Sequence, residues 1–196
     1  MFLLVGLGNP ELRYEGTRHN VGFMLVDRLA SLASGRFQSK FEQSEVCLVE
    51  RGNRSMVLAK PQTYMNRSGV AVRSLVAHYD VEMEDLLVVY DEVQLPLGKL
   101  RLRCFGSSGG QKGMESVIRM LGTDQIPRLR IGVGTAQQPD DLADYVLSPF
   151  SRQEQRVMDS ALDRGVLAVD MILTQGYSRA MELFNGPEKK DPLSLT

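Results

Sequence analysis

Short apolar runs alternate along this chain with longer segments in which apolar residues recur at helical spacing. The runs of strand length are residues 2–7, 46–50, 56–60, 86–90, 99–104 and 129–133. The segments with helical spacing are residues 20–33, 66–79, 113–121 and a longer one that begins at Ser151. Alternation of this kind is typical of an α/β domain.

The residues at the ends of these elements refine the prediction. Ser151 and Glu154 have the spacing of a capping box, so we predict a long helix from there to about residue 175, ended by Gly176. Asn66 or Ser68 is a candidate cap for the second helix. Residues 46–50 and 56–60 flank a short segment with a Gly-Asn pair, which is typical of a hairpin. We therefore expect a mixed, mostly parallel twisted sheet flanked by helices.

Length and composition indicate one domain. At 196 residues and 43% hydrophobic content, the chain is long enough for one sizeable core and short for two average domains. We assign residues 1–185 to this domain and predict that residues 186–196, rich in Pro, Lys and Asp, form a flexible tail.

The cysteines and the apolar start of the chain bear on the compartment. Cys47 and Cys104 do not form a Cys-x-x-Cys pair, so neither a zinc site nor a disulfide framework is indicated. The apolar residues 1–5 meet Gly6 too early for a signal peptide, and no apolar run approaches the roughly 20 residues of a membrane span. These features predict a cytoplasmic protein.

Charge is unevenly distributed although the net charge is only −1. Residues 99–130 contain seven basic and two acidic side chains, which favours a polyanion bound at one place. On a strand, Lys99, Arg101 and Arg103 would share one face, and guanidinium groups there or from Arg128 and Arg130 suit phosphate. An ordinary solvated face, or an edge strand kept soluble by its charges, remains the alternative.

Two glycine-rich segments resemble known motifs without completing them. Gly6-x-Gly8 follows a strand as in dinucleotide-binding folds, but the third glycine position is occupied by Glu11 and Pro10 removes a backbone donor. We interpret this segment as a rigid turn that directs the side chain of Asn9.

The second glycine-rich segment, residues 106–110, matches the Gly-x-Ser-x-Gly pattern of a nucleophile elbow around Ser108. Both histidines, His19 and His78, precede Ser108, so the usual order of serine, acid and histidine is impossible. The segment also lacks the residues of a phosphate loop. It leads into a helix N-terminus, whose backbone N–H groups suit a carbonyl or phosphate oxygen.

His19 and Asp91 are the sharpest candidates for chemistry. Thr17 is placed to cap the following helix, which puts His19 in its first turn, and Asp91 ends the apolar run 86–90. A carboxylate that holds one imidazole nitrogen protonated leaves the other free to accept a proton from water. A surface or capping histidine is the alternative reading of the same residues.

Several ordered blocks together resemble bacterial peptidyl-tRNA hydrolases. They are spread over about two-thirds of the chain and include Gly6-Leu7-Gly8-Asn9-Pro10, Thr17-Arg18-His19-Asn20, Tyr64-Met65-Asn66, Asp91-Glu92 and Arg128-Leu129-Arg130-Ile131-Gly132. The resemblance implies a monomeric α/β enzyme that hydrolyses the ester between a peptide and the tRNA 3′ end. It implies no metal and no cofactor, and a short mobile helix over residues 140–147.

The resemblance also implies a role for particular residues. His19 would deprotonate water, Asp91 would orient the imidazole and Asn9 would contact the substrate near the ester. The remaining implied residues bind peptide or tRNA, including the acceptor stem and the 5′ phosphate: Tyr14, Tyr64, Asn66, Lys112, Arg103 and Arg130.

Two positions depart from the family's pattern. Gln111-Lys112 stands where the family usually has His-Asn, and Glu11 stands where it usually has Gly. An ammonium donates hydrogen bonds but accepts none, so Lys112 loses any water-orienting role that needs an amide oxygen. These departures leave open a second class, an RNA-binding relative without hydrolase activity.

We predict that Lys112→Asn alters the pH dependence of activity, because the substitution removes a positive charge that the resemblance places at the candidate site. The check is the rate of ester hydrolysis by both proteins between about pH 5 and 9. Identical rates and pH profiles would contradict the prediction.

Overall fold

The fold is built on a seven-stranded sheet. The computed structural model describes residues 1–51, 54–136 and 139–186. Within these residues the strands are β1 (Phe2–Gly6), β2 (Gln38–Phe41), β3 (Ser44–Arg51), β4 (Arg54–Pro61), β5 (Leu86–Pro96), β6 (Leu100–Arg103) and β7 (Arg128–Gly134). Their order is β2-β3-β4-β1-β5-β7-β6. The four central strands are parallel, and β2, β3 and β6 pair antiparallel, so the predicted mixed sheet is confirmed.

Helices cover both faces of this sheet. They are α1 (Val21–Leu32), α2 (Ser68–Tyr79), α3 (Lys112–Leu121), α4 (Leu142–Val146) and α5 (Arg152–Phe184). Buried side chains of α1 and α5 pack on one face, and those of α2 and α3 pack on the other. The central strands are buried on both faces, which is why they read as continuous apolar runs.

Two strands differ from the sequence prediction. Strand β2 was not predicted, because Gln38–Phe41 is largely polar and pairs with β3 at the sheet edge. Strand β5 continues past Tyr90 to Pro96, so Asp91 lies within the strand and not at its exit. Its polar second half is held by β7, which lies alongside it from Val88 opposite Arg128 to Pro96 opposite Gly134.

Both predicted ends of the long helix are confirmed within α5. Ser151 and Glu154 form the predicted capping box. At Gly176 the backbone leaves helical geometry, with φ 83° and ψ 173°, a conformation that glycine tolerates. A further helical segment, absent from the sequence prediction, follows to Phe184, so α5 consists of two helices joined by a kink at Gly176.

Two predictions, the hairpin and the C-terminal tail, involve residues that the structure does not describe. The hairpin is confirmed by antiparallel pairing of β3 with β4, from Ser44 opposite Pro61 to Arg51 opposite Arg54. Residues 52–53, which connect them, lie outside the described residues, as do residues 187–196 of the predicted tail.

Helix α1 lies unusually close to the centre of the sheet. A Cβ atom on Gly22 would lie 2.5 Å from the backbone nitrogen and oxygen of Leu7 and from the carbonyl oxygen of Val89. A Cβ atom on Gly6 would lie 2.2 Å from the carbonyl oxygen of Gly22. The start of α1 therefore touches the backbone of β5 two residues before Asp91.

We predict that Gly22→Ala destabilises the protein by about 1–3 kcal/mol or more, because the added methyl group meets only backbone atoms. Activity should fall as well, since His19 lies in the 3-10 turn directly before the displaced helix. Gly165→Ala is the matched control, because its added Cβ would meet only the flexible side chain of Leu25 at 3.0 Å. Urea unfolding of both variants checks this, and equal stabilities would contradict it.

Candidate active site

His19 and Asp91 form a direct pair at the centre of the molecule. His19 lies in a single 3-10 turn, Arg18–Asn20, just before α1, and its Nδ1 is 2.7 Å from Oδ2 of Asp91. The Asp91 side chain is 2% exposed and that of His19 is 15% exposed. Because an ionised carboxylate only accepts hydrogen bonds, Nδ1 carries the proton and Nε2 of the neutral ring is the acceptor.

The turn that carries His19 is not fixed by the predicted cap. Thr17 makes no side-chain cap, because its hydroxyl donates to the Tyr14 carbonyl at 2.7 Å. Asn66 and Ser68 likewise do not cap α2, since the Ser68 hydroxyl donates to the Met65 carbonyl. These hydroxyls tighten the preceding 3-10 turns and do not bond to helix N–H groups.

Arg18 anchors the histidine turn to the C-terminal third of the chain. Its Nη2 lies 2.8 and 2.9 Å from the two carboxylate oxygens of Glu154, and its Nη1 donates to Ser148 and Pro149. The guanidinium also lies 4.3 Å from the ring centroid of Tyr145. A buried arginine with this many partners joins the turn to the start of α5 and to the segment that follows α4.

Asn9 is held by three hydrogen bonds of 2.9 Å. Its backbone N–H donates to Oδ1 of Asn20, and Nδ2 of Asn20 donates to the Asn9 carbonyl. Its own Oδ1 accepts the N–H of Met65. The amide group of Asn9 is therefore oriented with its oxygen occupied, and its Nδ2 is the group that remains to meet a ligand.

Two cavities adjoin His19. One, of about 400 Å³, is lined by His19, Asp91, Gln111 and residues of α4. The other, of about 470 Å³, is lined by Asn9, His19, Tyr64, Met65 and Asn66. Both include Lys112, Ala143 and Val146, so they form one groove past the histidine. A cavity of about 520 Å³ at the opposite ends of the parallel strands contains no histidine.

Helix α4 forms one wall of this groove, which agrees with the helix expected over residues 140–147. Leu142, Ala143 and Val146 line it. Asp141 caps the helix by accepting the N–H groups of Ala143 and Asp144. The hydroxyl of Tyr145 donates to the Val133 carbonyl at 2.6 Å, which ties the helix to the end of β7.

Tyr64 and Glu11 meet at the other side of the groove. The Tyr64 hydroxyl donates to the Glu11 carboxylate, and Arg13 forms an ion pair with the same carboxylate at 2.9 Å. The hydrogen bond from Tyr64 lowers the pKa of Glu11, and the same carboxylate raises the pKa of Tyr64. The guanidinium of Arg13 lies 4.7 Å from the ring centroid of Tyr14, and Tyr14 lines neither cavity.

Gln111 and Lys112 mark the start of α3. Gln111 is the N-cap, with Oε1 accepting the Met114 N–H at 2.7 Å, and its Nε2 lies 2.9 Å from Oδ1 of Asp91. Lys112 lines both cavities, but its side chain is 70% exposed and its Nζ lies 3.3 Å from Glu115. The lysine therefore presents its charge at the surface of the groove.

Strand β6 has the predicted alternation of buried leucines and basic residues, since Leu100 and Leu102 are buried while Arg101 is exposed. Arg101 lies opposite Arg130 and Arg103 lies opposite Arg128 in the antiparallel ladder. Arg103 and Arg130 are thus diagonal neighbours on one face, within reach of a shared anion. Arg130 is also 3.3 Å from Glu92.

Arg128 does not take part in this basic surface, which corrects the expectation that it faces phosphate. It is fully buried and donates to the carbonyl groups of Gly106, Ser107, Asp124 and Ile126. Burial lowers its pKa. Its role is to hold the glycine-rich segment 106–110 in place.

Neither Ser108 nor His78 has the surroundings of a nucleophile or base. The Ser108 hydroxyl accepts the Gly110 N–H at 3.2 Å. His78 lies on α2 with its ring centroid 4.4 Å from that of Phe41. Among the described residues no group of three or more potential metal ligands is found, and no described helix is long and apolar enough to span a membrane.

Sequence reasoning missed the partners that hold the site together. Arg18 and Asn20 flank His19 in the sequence, but no partner is predicted for either residue. Gln111 is distinguished in the sequence only as a departure from the family's pattern. Their contacts join residues between 11 and 136 positions apart, so no local pattern reveals them.

Comparison with known proteins identifies similar chains. The profile of the family described as peptidyl-tRNA hydrolase matches residues 3–192. Peptidyl-tRNA hydrolase of Aquifex aeolicus is 46% identical over 185 residues, 93% of this chain and 95% of that protein. The Carboxydothermus hydrogenoformans enzyme is 45% identical over 94% of this chain and 98% of its own length. A crystal structure of the Acinetobacter baumannii enzyme has a TM-score of 0.88 at 31% identity, covering 94% of each chain.

We predict that Glu154→Gln destabilises the protein at neutral pH by about 1–3 kcal/mol, because it weakens the hydrogen bonds to Arg18. Burial alone would raise the pKa of Glu154, but hydrogen bonds from the Ser151 N–H and from Arg18 outweigh burial and hold the pKa below its ordinary value. The stabilisation is therefore complete above about pH 5 and is lost as the pH falls through the lowered pKa. Urea unfolding of both proteins at pH 7 and pH 3 checks this, and a constant difference would contradict it.

Proposed function

Because this chain belongs to the peptidyl-tRNA hydrolase family, we propose that it cleaves the ester between a peptide, or an N-blocked aminoacyl group, and the 3′ end of tRNA through water activated by His19. The observation that carries the mechanism is the 2.7 Å contact between Nδ1 of His19 and Asp91. Release of the peptide leaves a free tRNA for another round of translation.

The histidine is the general base. With Nδ1 donating to Asp91, Nε2 accepts the proton of a water molecule in the groove as the water attacks the ester carbonyl. Asp91 keeps the ring in this tautomer and stabilises the imidazolium that forms. The proton then passes from Nε2 to the 3′ oxygen of the tRNA as the ester bond breaks.

Amide groups beside the histidine bind the reacting part of the substrate. Nδ2 of Asn9 donates to the substrate, since Oδ1 is occupied by the Met65 N–H. Asn66, which is exposed in the 3-10 turn Met65–Arg67 at the border of the groove, supplies a second donor for the oxyanion. Tyr64, on the same rim, and Tyr14, outside the cavities, are proposed contacts for the peptide and the terminal adenosine.

Arginines and a lysine hold the nucleic acid. The diagonal pair of Arg103 and Arg130 binds the 5′ phosphate, with Arg101 exposed beside them. Lys112 adds a positive charge at the groove. Contacts of this kind read the backbone and not the base sequence, so affinity should fall steeply with salt and depend little on the tRNA sequence.

An RNA-binding protein without hydrolase activity is the second candidate. The replacement of His-Asn by Gln111-Lys112 and the basic strand favour it. The dyad geometry and the oriented amide of Asn9 favour the enzyme, because a purely binding surface has no need of them.

We predict that His19→Ala lowers the rate of release of labelled N-acetyl-aminoacyl groups from tRNA by about 10²–10⁴-fold, because the general base is lost. Unblocked aminoacyl-tRNA serves as the substrate control. His78→Ala is the matched variant, since this second histidine packs against Phe41 away from the groove and its loss should leave activity intact.

The same assay separates the alternatives. Loss of activity in Ser108→Ala with retention in His19→Ala would indicate a serine esterase. Binding of tRNA without turnover by the unmodified protein would support the RNA-binding candidate and overturn the hydrolase.

A further inference from the structure

We propose that Gln111 is a positioning residue for the catalytic pair, acting through the second oxygen of Asp91; the inference rests on the proposed function. Asp91 has two carboxylate oxygens. Oδ2 contacts Nδ1 of His19 at 2.7 Å and Oδ1 contacts Nε2 of Gln111 at 2.9 Å. The carboxylate is thus held from both sides.

The orientation of the Gln111 amide follows from its partners. Oε1 faces the backbone N–H of Met114 at 2.7 Å, which requires an acceptor. Nε2 faces Asp91, which as a carboxylate requires a donor, and also lies 3.3 Å from Sδ of Met65. If the amide were flipped, Oε1 would face the carboxylate of Asp91 and the NH2 group would face the backbone N–H of Met114. Only one orientation therefore satisfies the surroundings.

This arrangement connects the start of α3 to the catalytic pair. Met114 N–H is a helix N-terminal donor that needs a partner, so the cap fixes the Gln111 side chain. The fixed side chain then prevents rotation of Asp91, whose side chain is 2% exposed and has little access to water. The result is that Oδ2 stays directed at His19.

Gln111 also affects the charge balance of the pair. Its N–H stabilises the buried carboxylate with a neutral group whose hydrogen-bonding capacity does not change with pH. Without it, the carboxylate would depend more on a charged imidazolium beside it. The pH dependence of activity should therefore change when this bond is removed.

Gln111→Ser tests this, because serine is a favourable N-cap but its hydroxyl is too short to replace the bond to Asp91. We expect the rate constant kcat to fall about 10- to 100-fold with KM changed less than about threefold. The acidic limb of the pH profile should shift by up to about one unit. The midpoint of urea unfolding should remain close to that of the unmodified protein.

A double-substitution cycle with Asp91→Asn provides the second measurement. If Gln111 acts through Asp91, Gln111→Ser should reduce kcat little further once Asp91 is replaced. A residue that only caps α3 would lower activity by the same factor in both backgrounds, together with the unfolding midpoint. Gln125→Ser, the same substitution at an exposed position after α3, is the matched control and should leave kcat and the pH profile unchanged.

The outcomes separate this inference from the proposed function. If the unmodified protein does not hydrolyse the blocked substrate, the proposed function fails. A second outcome is that the unmodified protein hydrolyses the substrate and His19→Ala does not. If Gln111→Ser then has the same kcat and the same acidic limb of the pH profile as the unmodified protein, only the positioning role is overturned. Additive effects of Gln111→Ser and Asp91→Asn would also overturn it.

Discussion

The backbone contact between α1 and the centre of the sheet is the constraint on which the site depends. Gly6 and Gly22 leave no side-chain atoms between the helix and the strands, and a Cβ on either would lie 2.5 Å or less from backbone atoms. The helix start therefore reaches β5 at Val89. Asp91, two residues further along the strand, comes within hydrogen-bonding distance of His19 in the turn before the helix.

Two further connections convert this contact into a site. Arg18 joins the histidine turn to Glu154 at the start of α5 and to the segment after α4, so hydrogen bonds connect one wall of the groove to the turn that carries His19. Asn9, at the end of the loop after β1, is tied to Asn20 on one side and Met65 on the other. Residues from distant parts of the chain thus present polar atoms to one groove.

The departures from the family's pattern alter the chemistry of the groove without breaking its geometry. Gln111 satisfies a helix N–H and a buried carboxylate at once, which a neutral amide does well because it has both a donor and an acceptor. Glu11 introduces a negative charge, but Tyr64 and Arg13 compensate it. Lys112 adds a positive charge at the surface of a groove proposed to bind tRNA.

Local patterns in the sequence determined the α/β class, the hairpin, the helix positions and the capping box of α5, because these depend on hydrophobic periodicity and on residues a few positions apart. The histidine and aspartate were recognisable as a pair only through their chemistry and the resemblance of their surroundings. Only the tertiary structure decided that Asp91 lies inside β5 and that a second helical segment follows the kink at Gly176, since strand pairing and packing add to local signals. It likewise decided that Arg128 is buried while Arg101 is exposed, because the glycine-rich segment has carbonyl groups that only a buried guanidinium reaches.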